Sequence, residues 1–222
     1  MTRQTCNDST TSYAIYDRLK NKVMSYEFSP SQQLQPWTLA DEFKVSSTPV
    51  REALIRLGAE GLVAVMPNKG FFMKPLNPSE ICSLYVLRSQ LLRYSLRYLL
   101  EQSRFSDHRS FVTVWEERLS DLSASSCALI EEFFMDWVDV SRAQACVDTL
   151  QNTNERTRFI RCLFTEEPAR SRRYLGILRD LVRHIKRSNA DDAIDCLITE
   201  LDFKVTSVPA LCNEGLVRSF RN

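Results

Sequence analysis

Between Thr38 and Gly70 the chain reads TLADEFKVSSTPVREALIRLGAEGLVAVMPNKG, and this stretch restricts the fold more than any other. Thr38-Leu39-Ala40-Asp41 sets a hydroxyl three residues ahead of a carboxylate, the spacing of a helix start. Leu39 and Phe43 give that short helix an inner face. Lys44-Val45-Ser46 reads as a turn. Ser46, Ser47 and Thr48 then offer alternative N-caps, and Pro49 is tolerated because first-turn amides have no helical partner. Val50, Ala53, Leu54 and Leu57 recur at i, i+3, i+4 and i+7, a core-facing stripe. Ser47, Thr48, Arg51 and Ile55 lie opposite. Leu62 to Met66 reads as a strand, Pro67-Asn68-Lys69-Gly70 as a turn, and Phe71-Phe72-Met73 as the return strand.

Two capped helices alone are common in helical proteins. The hairpin directly behind them narrows the pattern to a winged helix-turn-helix. The second helix then has what a recognition helix needs: free amides and hydroxyls to hold phosphate, and an Arg that can fork onto guanine O6 and N7. Lys69 at the hairpin tip suits a phosphate or the minor groove. A winged helix used only for protein contacts is the competing reading, because a fold does not dictate its use.

Val45-Ser46-Ser47-Thr48-Pro49-Val50-Arg51-Glu52-Ala53-Leu54, then Arg56-Leu57 and Glu60-Gly61-Leu62-Val63, closely resembles the signature of GntR-family bacterial transcription regulators. The resemblance runs from Tyr13 to Met73. It implies DNA reading by the capped helix and its Arg, a wing tip at the minor groove, and binding to double-stranded DNA as a homodimer. Carried over by position, Ser46, Ser47, Thr48 and Arg51 would contact DNA, with Asn68, Lys69 and Gly70 at the wing. The family usually has Arg where Ser47 stands, Gly where Lys44 stands, and a polar or charged residue where Trp37 stands. Losing the Arg at Ser47 changes affinity or the sequence read, so the operator does not transfer from relatives. These departures also keep open a dimeric interaction module whose winged helix no longer binds DNA specifically.

At 222 residues the chain accommodates two domains, expected at 1–75 and 76–222. Net charge is +1, so any field attracting DNA must be local. Arg18, Lys20 and Lys22 precede the motif, which adds Lys44, Arg51, Arg56, Lys69 and Lys74. Seven cysteines are scattered without a CxxC pair, which reads as reduced thiols. A redox sensor would instead need an exposed thiol of low pKa. No apolar signal region or membrane span is evident, so a cytoplasmic location is expected.

Lys74-Pro75-Leu76-Asn77-Pro78-Ser79-Glu80 forms the joint, with Asn77 capping a new helix and Pro78 at its first position. Beyond the joint the chain reads as helices at 79–102, 107–123, 126–141, 143–152, 154–165, 169–188 and 190–207. Tyr174, Ile177, Leu178, Leu181, Val182 and Ile185 form one apolar stripe. Ile194, Leu197, Ile198, Leu201 and Val205 form another. Such stripes build an antiparallel bundle. The expected fold is mainly α: an N-terminal winged helix-turn-helix followed by an all-α antiparallel helical bundle.

The helix count, the joint and Leu84-Tyr85-Val86-Leu87-Arg88 resemble the FadR-type subgroup, whose sensor is the FCD domain. Arg88 falls in the middle of an apolar stripe at 81, 84, 85, 91, 92, 96 and 99. A guanidinium facing a core must be paired. One reading is an anion site for a carboxylate effector, as the resemblance also implies. The other is an ion pair with Glu131 or Glu200. Many FCD domains hold a metal with an Asp and three His. Glu131 stands at the Asp position, with Phe134 three residues on, but the His positions fall at Met135 and near Leu178 and Glu200. His108 and His184 are out of register and read as surface or edge residues. The expectation is a sensor pocket without metal or other cofactor, with Arg88 and Glu131 as candidate ligand-binding residues. No Gly-rich phosphate loop, HExxH or GxSxG occurs, so no enzyme is expected.

Overall fold

The computed structural model of the chain describes residues 5–101, 105–139 and 143–219. It divides into two compact units, Met1–Leu76 with Glu214–Asn222, and Asn77–Asn213.

The first unit holds α1 (Thr5–Met24), α2 (Pro36–Phe43), α3 (Ser47–Ala59), β1 (Val63–Met66) and β2 (Gly70–Met73). Helix α2 begins two residues ahead of Thr38. Gln35 is extended at the N-cap and Pro36 takes the first helical position, where a missing N–H costs nothing. Thr38 is therefore inside the helix and not its cap; its hydroxyl bonds the Gln35 side chain at 3.4 Å. The turn is closed by Lys44 in the left-handed region, φ 57 and ψ 45, and by Val45 N–H donating to Ala40 O at 3.0 Å.

Val50, Leu54 and Leu57 are fully buried, against Leu19, Val23, Leu34 and Leu39. A second clamp joins α1 to α3. Tyr16 Oη donates to the Glu60 carboxylate at 2.6 Å, Lys20 pairs with Glu60 at 3.1 Å, and the Arg56 guanidinium lies 3.8 Å over the Tyr16 ring. Gly58 sits where α3 meets β1; a Cβ there would come within 2.5 Å of Val65 Cγ2.

β1 and β2 pair antiparallel, Val63 with Met73 and Met66 with Gly70. Gly70 is thus the first residue of the return strand, with φ 98. The segment before α2 runs along the other edge, Leu34 N–H donating to Phe71 O and Met73 N–H to Gln32 O, both at 2.8 Å. That pairing anchors the hairpin to the helical core.

The second unit holds α4 (Pro78–Glu101), α5 (Phe105–Ser120), α6 (Cys127–Asp139), α7 (Gln144–Glu166), α8 (Pro168–Lys186) and the part of α9 (Ala190–Ser219) up to Asn213. Asn77 Oδ1 accepts from Ser79 N–H and Glu80 N–H, capping α4 as expected. Glu167 caps α8 in the same way, ahead of Pro168.

Helix α7 is one element where the sequence suggested a break at 152–154. The polar run Asn152-Thr153-Asn154 imitates a loop. Instead Thr153 and Thr157 return their hydroxyls to the carbonyls four residues back, at 2.7 and 2.8 Å, and stay helical while buried. Helix α9 likewise continues through Pro209, past the expected end at 207. Phe111, Trp115, Phe133, Phe134 and Trp137 form an aromatic cluster joining α5 to α6, with Trp115 and Phe133 edge-on at 5.0 Å.

Candidate nucleic-acid interface and buried charge cluster

Helix α3 is packed underneath and exposed above. Ser46 is extended at the N-cap, φ −73 and ψ 159, and its side chain makes no capping bond. Ser46, Ser47, Thr48 and Arg51 line the open face, and among the described residues none of their side chains is engaged within the protein. The first-turn amides carry the partial positive charge of a helix N-terminus. These residues form one donor-rich surface whose underside is a packed core.

At the hairpin tip Asn68 takes φ 60 and Lys69 is exposed. Gln33 Nε2 donates to Lys69 O at 2.8 Å, which steadies the tip. Gly70 supplies backbone only.

Much of the basic charge expected around the motif is already committed. Lys20 pairs with Glu60, and Lys22 with Glu27 and Glu42. Arg56 pairs with Glu60, and Arg18 stacks on Phe43 at 4.6 Å. Lys44, Arg51 and Lys69 keep exposed charges without an ion pair among the described residues.

The second unit encloses charge instead. Arg88 is 1% exposed and its Nη1 lies 2.9 Å from Glu200 Oε1. Tyr174 Oη donates to the same oxygen, and Lys204 Nζ lies 2.9 Å from it. Arg88 also stacks 4.3 Å over Phe134, while its Nε and Nη2 have no hydrogen-bond partner. Burial works to raise the Glu200 carboxyl, but Lys204 and Arg88 overcome it and hold it at about 2. Burial lowers the Lys204 amine to about 7, with repulsion from Arg88 and Arg161 adding to it against the attraction of Glu200.

Glu131 joins a neighbouring network. It pairs with Arg161, which also donates to Asn154 O at 2.7 Å and to Thr157 Oγ1 at 3.2 Å. Arg88 and Glu131, named together from the sequence, therefore have different partners. Arg161, Tyr174 and Lys204 belong to the cluster and were not singled out as site residues. The spacing of Glu200 and Lys204, i and i+4 beside an apolar stripe, was a usable signal for two of these groups. It was obscured because the buried face of α9 runs through Ala193, Leu197, Glu200, Lys204 and Val208, whereas Ile198 is 37% exposed.

The residues do not fit the metal that the FCD resemblance suggests. Glu131 and Glu200 are each neutralised by buried cations, and Met135 and Leu178 offer no hard donor. Among the described residues no three His, Cys, Asp or Glu side chains converge on a point that could hold an ion. His184 Nδ1 lies 3.3 Å from Asp192, and the His108 side chain lies outside the described residues. Among the described residues no helix is long and apolar enough to cross a membrane.

Residues 11–73 match the family model of bacterial regulatory proteins, gntR family. The Nta operon transcriptional regulator of Aminobacter aminovorans is 33% identical over 142 residues, covering 63% of this chain and 68% of that protein. YdhC, an uncharacterized HTH-type transcriptional regulator of Bacillus subtilis (strain 168), is 22% identical over 219 residues, 94% of this chain and 96% of that protein. The solved structure of E. coli McbR/YncC has the same fold, with a TM-score of 0.66 over 90% of this chain and 97% of that one at 17% identity. With a winged helix-turn-helix ahead of a helical domain, and with transcriptional regulators as relatives, the chain belongs to the GntR family of DNA-binding transcriptional regulators.

Proposed function

We propose that this regulator binds DNA as a cytoplasmic homodimer and releases it when a small anion, of the carboxylate class, binds beside Arg88 in the helical unit. Ser46, Ser47 and Thr48 with the first-turn amides of α3 hold phosphate, and Arg51 reaches a base edge. Asn68, Lys69 and Gly70 bring the wing tip to the backbone or minor groove. Two copies place one recognition helix on each half of a two-fold symmetric site.

The observation that carries the effector reading is Arg88 itself. It is buried, yet two of its donor nitrogens have no hydrogen-bond partner. Three buried cations, Arg88, Arg161 and Lys204, face the two carboxylates Glu131 and Glu200. An added anion would supply the missing acceptors. The domain resemblance to FCD sensors agrees with this.

A thermal-shift screen with small carboxylates, sugar acids and acyl compounds tests it. A ligand that binds only the native state stabilises it by about 2.7 kcal/mol at a hundredfold excess over its Kd. The hit should also weaken DNA binding, and Arg88→Met should abolish both effects while the variant stays folded and DNA-bound. A response that survives Arg88→Met makes the Arg88–Glu200 contact purely structural.

A further inference from the structure

Helix α6 opens on Cys127 and packs along α7, which carries Cys162. Both thiols are partly exposed, and each lies close enough to shift the other's ionisation. Arg161, the neighbour of Cys162 in sequence, places its Nη1 3.6 Å from Cys127 Sγ. That guanidinium is not free to wander: Glu131, Asn154 O and Thr157 Oγ1 hold its other nitrogens. Cys127 also lies in the first turn of α6, where Ser126 Oγ accepts from Leu129 N–H at 3.1 Å and the helix N-terminus is positive. A guanidinium and a helix N-terminus thus converge on one sulfur, with a second thiol close by, the surroundings that make a cysteine nucleophilic.

We propose that Cys127 and Cys162 are a peroxide-reactive thiol pair, Cys127 the nucleophile and Cys162 the resolving thiol, that closes to a disulfide tying α6 to α7. In the first step the Cys127 thiolate attacks one oxygen of a hydroperoxide. An S–O bond forms as the O–O bond breaks, and the departing oxygen takes a proton to leave as water or an alcohol. Cys127 is oxidised to the sulfenic acid and the peroxide is reduced. The Cys162 sulfur then attacks Cys127 Sγ. The S–S bond forms, the S–O bond breaks, and hydroxide leaves as water with the Cys162 proton.

The surrounding charges support that division of labour. The Cys162 thiol and then the Arg161 charge hold the Cys127 thiol at about 7 against its burial, with Glu131 opposing and Lys204 assisting. The nearby Cys127, and then burial, push the Cys162 thiol up, so it keeps its proton until the sulfenic acid has formed. The Tyr85 phenol nearby is also pushed up by burial and adds no negative charge.

The reduced full-length protein, treated with a small excess of hydrogen peroxide, alkylated and digested without reductant, should yield the Cys127–Cys162 cross-linked peptide as its first disulfide. In Cys162→Ser, oxidation should stop at a Cys127 sulfenic acid that dimedone traps; in Cys127→Ser neither product should form. At pH 7 Cys127 should react about threefold faster than an ordinary cysteine, its larger ionised fraction being partly offset by lower intrinsic nucleophilicity. Both thiols remaining free after peroxide, or a first disulfide joining other cysteines, overturns the proposal. Should a serine variant fail to fold, the wild-type peptide map decides alone. None of these results bears on DNA or anion binding by the reduced protein, so the two readings fail separately.

Discussion

Arg88 and Glu200 lie 112 residues apart in the chain and meet at 2.9 Å with each side chain only 2% exposed. The contact joins the first and last long helices of the second unit through one carboxylate that also serves Lys204 and Tyr174. That sharing makes the two partners unequal. Glu200→Gln leaves both Arg88 and Lys204 without a counter-charge, and should destabilise the protein by about 3–5 kcal/mol. Arg88→Met leaves Glu200 with Lys204 and Tyr174, and should cost less. Urea unfolding of the two variants measures the order; equal losses would mean that Lys204 and Tyr174 do not support Glu200.

Lys204 gives the same cluster a pH dependence. An unfolded lysine keeps its proton up to about 10.5, whereas the folded one releases it near 7. Between those values the unfolded state holds more protons, so this group's contribution to stability rises with pH and its penalty is complete below 7. Lys204→Met should therefore gain more relative to the wild type at pH 6 than at pH 9, by roughly 1–3 kcal/mol. Chemical denaturation at both pH values checks this. A difference that does not change with pH contradicts a depressed amine.

Lys44 offers a prediction in the first unit. It closes the turn before α3 with φ 57 and ψ 45, a region that disfavours any residue with a Cβ. Its side chain is exposed and has no ion pair among the described residues. Lys44→Gly should raise stability by about 0.5–1 kcal/mol, the released strain being partly offset by the entropy glycine adds to the unfolded chain. Thermal unfolding of the variant should show a higher midpoint. A lower one would mean that the lysine stem packs better than its exposure indicates.

The legible parts of this fold are those with local causes. Val50, Ala53, Leu54 and Leu57 announced the buried face of α3, and Asn77-Pro78 announced the start of α4. The hairpin was readable because Asn68 and Gly70 need positive φ, which their types allow. Thr38 misled because a cap-like spacing also occurs within the first turn of a helix that Pro36 had already started. Residues 152–154 misled because polar side chains that bond back to their own helix look like a loop. The charge cluster was half legible. A cation in an apolar stripe marked Arg88, but its ion-pair partner Glu200 lies 112 residues away in sequence, and no local rule pairs them.

The same pairing leads to a prediction for metal content. With Glu131 held by Arg161 and Glu200 by Arg88 and Lys204, protein purified without chelator should carry well under one Zn, Ni or Mn per chain by elemental analysis. One tightly held ion per chain, lost on Glu131→Gln or Glu200→Gln, would show that these carboxylates serve a metal.

The proposed reading of DNA by α3 through Arg51 is open to fluorescence anisotropy on the chain's own upstream DNA. Specific binding of the wild type is compared with Arg51→Ala and Lys69→Ala across a salt series. Arg51→Ala should weaken specific binding by about 1–3 kcal/mol and leave nonspecific binding nearly unchanged. Lys69→Ala should weaken binding to all sequences alike and lower the salt slope by about one. Unchanged specific affinity in Arg51→Ala, with the protein folded, would rule out Arg51 as the base-reading residue.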